Sequence, residues 1–113
     1  KVALGLCDNL ATCLLRAWNP DKPVVVAPAM NTLMWEHPTT VEHLNALSSW
    51  GYRILPPACK RLACGDEGRG ALPAVTDLVA ATREAAAGFA QRRNSEGHGA
   101  WQRRGFKEWV VPL

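Results

Sequence analysis

An unbroken apolar run, Pro23-Val24-Val25-Val26-Ala27, constrains this chain more than any other feature. A strand with one face in water alternates apolar and polar side chains, whereas a strand covered on both faces reads as continuous β-branched residues. The run therefore predicts a central parallel strand between layers of helix. Before it, Leu6, Leu10, Cys13, Leu14 and Ala17 recur at helical spacing, with Asp8 and Asn9 at the start and Asn19-Pro20 after the end. After it, Pro28 stops the strand and Ala29 to His37 reads as irregular. Pro38 then opens a second helix whose buried stripe is Val41, Leu44 and Leu47. Gly51 closes that helix where a left-handed residue is favoured, and Tyr52-Arg53-Ile54-Leu55 reads as the next strand before Pro56-Pro57. Strand, helix and strand make one βαβ crossover.

From Ala58 to Leu72 neither period is visible. Glycines at 65, 68 and 70 with mixed charge predict a long structured loop, a type of segment that often carries function. A last helix places Val75, Leu78, Val79, Thr82, Ala85, Ala86 and Phe89 on one face, with Asp77 at its start and Arg92 and Arg93 at its end to suit the helix dipole. Beyond Asn94 the period is lost among Gly, Ser, Arg and isolated tryptophans. The expected organisation is one α/β domain over residues 1–92 and a disordered tail over residues 93–113.

Charge follows the same division. Residues 1–91 carry eight basic and eight acidic side chains, while residues 92–113 carry five basic and two acidic ones, so the tail supplies the whole net charge of +3. Basic residues without patterning or a recognition module are solvated, and no nucleic-acid partner is expected. No run of about 18 apolar residues and no secretory signal is present, so neither a membrane nor a secreted location is expected. The expectation is a cytoplasmic protein. Cys7, Cys13, Cys59 and Cys64 do not follow a zinc spacing, and no metal is expected. The chain opens on Lys1 and on a lead-in to a helix, which suggests that it begins in mid-fold.

Chemistry concentrates in two places. Ligands of parallel α/β sheets bind at the carboxyl ends of the strands, where Pro28-Ala29-Met30-Asn31 falls. There a narrow backbone lets a planar ring approach, the Asn31 amide offers donors and an acceptor, and Met30, Met34 and Trp35 add apolar walls. From spacing alone the same residues also read as a turn with an asparagine cap. The second place is Cys64-Gly65-Asp66-Glu67-Gly68-Arg69-Gly70-Ala71, a glycine-punctuated loop headed by a thiol. Lys60, Arg61 and Arg69 would favour the thiolate, and Asp66 and Glu67 oppose them. Alone, it reads equally as a surface loop or as a catalytic lid.

Three blocks together resemble the homo-oligomeric flavin-containing cysteine decarboxylases. They are Gly5-Leu6-Cys7-Asp8-Asn9-Leu10 with Ala17-Trp18, then Ala27 to Trp35 with His37-Pro38, and then Leu62-Ala63-Cys64-Gly65-Asp66-Glu67-Gly68 with Gly70-Ala71. The resemblance covers about residues 1–92. It implies the C-terminal portion of a flavodoxin-like three-layer αβα fold with a parallel sheet, its N-terminal part lying upstream. It further implies FMN as cofactor, a homotrimer, and decarboxylation of 4'-phosphopantothenoylcysteine to 4'-phosphopantetheine in coenzyme A biosynthesis. On that pattern Asn31 binds the substrate carboxylate, Ala29 contacts the flavin, Arg61, Leu62 and Ala63 belong to a substrate clamp, and Cys64 donates a proton.

The chemistry implied by the resemblance needs an electron sink, because direct loss of carbon dioxide would strand an unstabilised carbanion beside nitrogen. Oxidation of the thiol-bearing carbon to a thioaldehyde, loss of carbon dioxide to an ene-thiol, and return of hydride with a proton from Cys64 give no net redox change. The pattern also includes a histidine and flavin-phosphate contacts that precede the first residue here. None of His37, His43 and His98 stands in that histidine's place: His37 reads as a local packing or capping group and His43 as solvated on a helix face. A peptidyl-cysteine decarboxylase and a non-catalytic regulatory protein of the same descent are the alternative readings.

Overall fold

The computed structural model describes residues 1–61 and 67–96. The first element is a single 3-10 turn, Val2–Leu4, which ends at Gly5 with φ 73°. Helix α1, Leu10–Arg16, starts where Asp8 and Asn9 mark it in the sequence, although apolar spacing reaches back to Leu6. The cause is local: Asn9 Oδ1 accepts from Thr12 N at 2.9 Å, and Thr12 Oγ1 accepts from Asn9 N at 3.2 Å. This reciprocal capping fixes where the helix can begin.

Strand β1, Val25–Val26, continues into a crossover containing helix α2, Thr32–Trp35, and helix α3, Pro38–Ser49, before strand β2, Arg53–Ile54. The strands are parallel, with Val25 opposite Arg53 and Val26 opposite Ile54. Arg53 N donates to Val24 O at 2.9 Å and Leu55 N to Val26 O at 2.8 Å. Pairing is shorter than the apolar runs because prolines bound them. Pro23 has no N–H, and Pro28 and Pro56 cannot extend the ladder as donors. Pro38 begins α3 as expected, and Gly51, at φ 87°, ends it.

Two expectations are corrected. The segment after β1 is not wholly irregular, because Asn31 caps the helical turn α2. Nor is the stretch after β2 an unpaired loop. Strand β3, Ala58–Arg61, and strand β4, Glu67–Ala71, form an antiparallel hairpin with Cys59 opposite Arg69, Lys60 opposite Gly68 and Arg61 opposite Glu67. Two glycines in β4 remove the side chains from which a strand period is read.

Helix α4, Val75–Glu96, passes the boundary expected at residue 92, so residues 93–96 are helical. The remainder of the expected tail lies outside the described residues. Helix α4 lies against β1, and α3 against β2. An exposed ion pair, Arg53 Nη2 to Glu84 Oε2 at 2.6 Å, joins β2 to α4. Leu47 and Ala81 are buried, whereas Val41 is 59% exposed and Leu10 is 85% exposed. The stripe expected on α3 is thus carried by Leu47, with Leu44 half-buried.

Candidate active site

The carboxyl end of β1 delivers the chain to the site. Pro28 and Met30 are half-buried, and Ala29 between them is exposed, so its methyl group stands at the surface where the strand ends. Asn31 has extended backbone, φ −65° and ψ 162°, as a helix-capping residue requires. Its Oδ1 accepts from Met34 N at 2.9 Å, and its carbonyl accepts from Trp35 N at 2.9 Å. The cap engages the oxygen of the amide and not Nδ2, whose two N–H groups are the donors suited to a carboxylate. The side chain is exposed.

Two contacts hold this segment from outside. Thr40 Oγ1, in the first turn of α3, donates to Met34 O at 2.6 Å, fixing the end of α2. From the other direction, Met30 N donates to Gly70 O at 2.9 Å, which docks β4 on the residue before Asn31. Gly70 is buried, with φ 110°, and a Cβ built there would lie 2.3 Å from Met30 O. The hairpin and the Pro-Ala-Met-Asn segment, separate in sequence, are therefore one unit. The cap is the asparagine-capped turn that spacing alone had offered, whereas the docking was not among the sequence expectations.

Of the residues that the resemblance assigns to a substrate clamp, Arg61 is described. Arg61 ends β3, paired in register with Glu67. Leu62, Ala63 and Cys64 lie outside the described residues. His37 has the local role expected of it: it caps α3, with Nδ1 accepting from Thr39 N at 3.3 Å and 2.8 Å from Thr39 Oγ1. His43 is half-buried rather than solvated. His98 lies outside the described residues. Among the described residues no cluster of His, Cys, Asp or Glu could hold a metal ion.

Residues 1–87 match the family described as Flavoprotein. The chain belongs to the flavoprotein family. A phosphopantothenoylcysteine decarboxylase from Arabidopsis thaliana is 60% identical over 72 residues, covering 64% of this chain and 34% of the relative. The mouse protein of the same name is 51% identical over 80 residues, covering 71% of this chain and 39% of its own length. Among solved structures, a cysteine-to-serine mutant of PPC decarboxylase complexed with pantothenoylaminoethenethiol superposes with TM-score 0.69 at 52% identity. That match covers 74% of this chain and 46% of the other. The FMN binding protein AtHal3 superposes with TM-score 0.66 at 53% identity, over 74% and 45%.

These matches bear out the resemblance read from the three blocks, and the fold is α/β and flavodoxin-like. The chain spans less than half the length of each of these four proteins. Within that span, this flavoprotein keeps the Asn31 segment, the docked hairpin and the crossover that supports both.

Proposed function

We propose that this chain carries the carboxylate-binding and clamp portion of an FMN-dependent decarboxylase. Its substrate is 4'-phosphopantothenoylcysteine, converted to 4'-phosphopantetheine and carbon dioxide in coenzyme A biosynthesis. The observation that carries the reading is the hydrogen bond from Met30 N to Gly70 O, which unites the amide-bearing segment with the hairpin headed by Cys64 in sequence. The names of the related proteins support the substrate class.

Ala29 fits the cofactor. It is small, exposed and set between two half-buried neighbours at the carboxyl end of β1, so a flat ring can lie on the backbone without displacing a side chain. Bound FMN supplies a reversible two-electron sink. The chain's own residues supply the rest. The Asn31 Nδ2 donors hold the substrate carboxylate, and the α2 cap keeps the amide oriented so that its oxygen does not face that charge. Arg61, Leu62 and Ala63 close over the substrate. Cys64 gives its thiol proton to the ene-thiol carbon after carbon dioxide has left, restoring a saturated carbon. The aminoethenethiol held by the mutant relative supports placing this proton transfer late.

A homotrimer is part of the proposal, supported by large apolar side chains left exposed, including Leu10 and Leu33 at 85% and 82%. A cytoplasmic setting is supported by the exposed thiols of Cys7, Cys13 and Cys59, which suit a reducing compartment. Carbon dioxide release and phosphopantetheine formation, measured on the full-length, FMN-loaded protein, test the function. A peptide ending in cysteine serves as the competing substrate. Turnover of the peptide without turnover of phosphopantothenoylcysteine would transfer the site to peptidyl substrates.

A further inference from the structure

We infer that Gly70 is the positioning residue that sets the Asn31 amide for a substrate carboxylate, acting through the backbone of Met30. The inference rests on the decarboxylase reading and identifies a determinant of substrate affinity remote from the groups that touch the substrate. The two partners are separated by forty residues of sequence and joined backbone to backbone, Met30 N to Gly70 O at 2.9 Å. Asn31 follows Met30 directly, so any displacement of the Met30 peptide turns the next residue.

Three properties leave glycine as the residue this position accepts. Its φ of 110° lies where L side chains are strained. A Cβ would lie 2.3 Å from Met30 O and 3.4 Å from Met30 C, both rigid backbone atoms, and 3.5 Å from Trp35 Cβ. The position is also buried, so an added methyl group has no solvent to turn into. A methyl group would push β4 away from Met30 and break the hydrogen bond it receives. Gly51 separates strain from displacement: it has φ 87°, yet a Cβ there would meet nothing within 4 Å. Gly51→Ala therefore adds left-handed strain without moving the site.

The test uses the full-length, FMN-loaded protein and an inert probe, 4'-phosphopantothenoylserine, which keeps the carboxylate and lacks the thiol. Gly70→Ala is expected to weaken probe binding and raise the substrate KM by about tenfold, with kcat per folded, flavin-loaded protein within about threefold of wild type. Hydrogen exchange at the Met30 amide should accelerate by at least about tenfold. Gly51→Ala should lower stability and change none of these. If Gly70 acts through Asn31, Gly70→Ala should have little further effect on probe affinity in an Asn31→Ala background.

If Gly70→Ala fails to fold, replacing the Met30 amide by an ester deletes the donor without adding bulk and should give the same loss of affinity. Unchanged probe affinity and KM with a lower yield of folded protein would make Gly70 merely structural and overturn the inference. Wild-type protein that binds the probe but does not turn over the cysteine substrate would remove the decarboxylase reading, while the affinity comparison still decides the role of Gly70. Wild-type protein that binds no probe overturns both.

Discussion

Asn9 and Asn31 occupy the same position at the starts of two helices, and their surroundings assign the two amides different work. Asn9 Oδ1 accepts from Thr12 N, its Nδ2 donates to Asp8 Oδ1 at 3.3 Å, and Thr12 Oγ1 closes the capping box. Every one of these partners lies within three residues. Asn31 makes the corresponding bond to Met34 N, but among the described residues no partner takes its Nδ2, and the peptide before it is held by Gly70 from a distant strand. A capping asparagine with local partners on both ends of its amide defines a helix start. One whose oxygen is fixed and whose setting is tied to distant elements can present its nitrogen to a ligand.

The largest expected effect breaks this symmetry with the same substitution at both positions. Asn31→Asp keeps an acceptor for the cap but replaces the donors with a negative charge facing the substrate carboxylate. Loss of a hydrogen bond to a charged group plus like-charge repulsion amounts to about 4 kcal/mol, a fall in kcat/KM of roughly a thousandfold. Flavin binding should stay within about twofold. Asn9→Asp, at a position where aspartate caps equally well, should leave turnover nearly unchanged. Equal loss at the two positions would show that both act only as caps.

Cys64→Ser asks whether the hairpin docked beside Asn31 supplies the final proton. Formation of phosphopantetheine should fall by roughly a hundredfold, since a serine hydroxyl is a much weaker acid than a thiol. Carbon dioxide release should survive through the first turnover, with the ene-thiol accumulating. A matched loss of carbon dioxide release, with substrate still bound, would move Cys64 to an earlier step.

The sequence made the crossover legible because its signals are local and redundant. A continuous apolar run, prolines at strand ends, Pro38 at a helix start and Gly51 at a helix end each agree with the same topology. The Asn31 segment and the glycine loop were each visible as motifs, and family resemblance joined them. Their physical connection was hidden because it runs through main-chain atoms, Met30 N and Gly70 O, which leave no side-chain pattern. The hairpin was hidden for a related reason. Gly68 pairs with Lys60, Gly70 falls at the register shift between Ala71 and Arg69, and neither adds a side chain to an alternation, so the strand looked like a loop. The start of α1 was legible for the same local reason as the crossover: apolar spacing continues back through Leu6, but Asn9, read at the helix start, is the cap that decides the boundary.

A third prediction concerns the sheet beneath both asparagines. Residues 1–113 expressed alone should bind FMN at least about tenfold more weakly than the full-length Arabidopsis relative, read by flavin fluorescence titration. Among the described residues, the buried hydrophobic side chains are Leu47 and Ala81, and neither is fully shut off from solvent. The parallel pairing that carries Asn31 spans Val25–Val26 and Arg53–Ile54, and so thin a support holds a ligand-binding backbone loosely. The Asn9 cap, built from near neighbours, should persist in the same chain, and α1 amides should keep their exchange protection. Flavin affinity equal to that of the relative would show that the Asn31 region is pre-organised without further support.

The smallest effect returns to Asn9 itself. Asn9→Ala deletes the acceptor for Thr12 N and frees the Thr12 hydroxyl from its reciprocal role, since the box requires both partners. Loss of such a cap costs about 1 kcal/mol. In a domain of this size that corresponds to a fall in Tm of about 4–8 °C, measurable by calorimetry. Thr12 is the buried residue of α1, so the helix start should loosen around it rather than unwind from Arg16, and exchange should quicken at the Thr12 and Cys13 amides. Probe affinity and KM should stay as in wild type, because no hydrogen bond described for Asn9 reaches α2 or β4. A change in KM with little change in Tm would reverse the assignment, placing Asn9 with the site and leaving Thr12 to define the helix start alone.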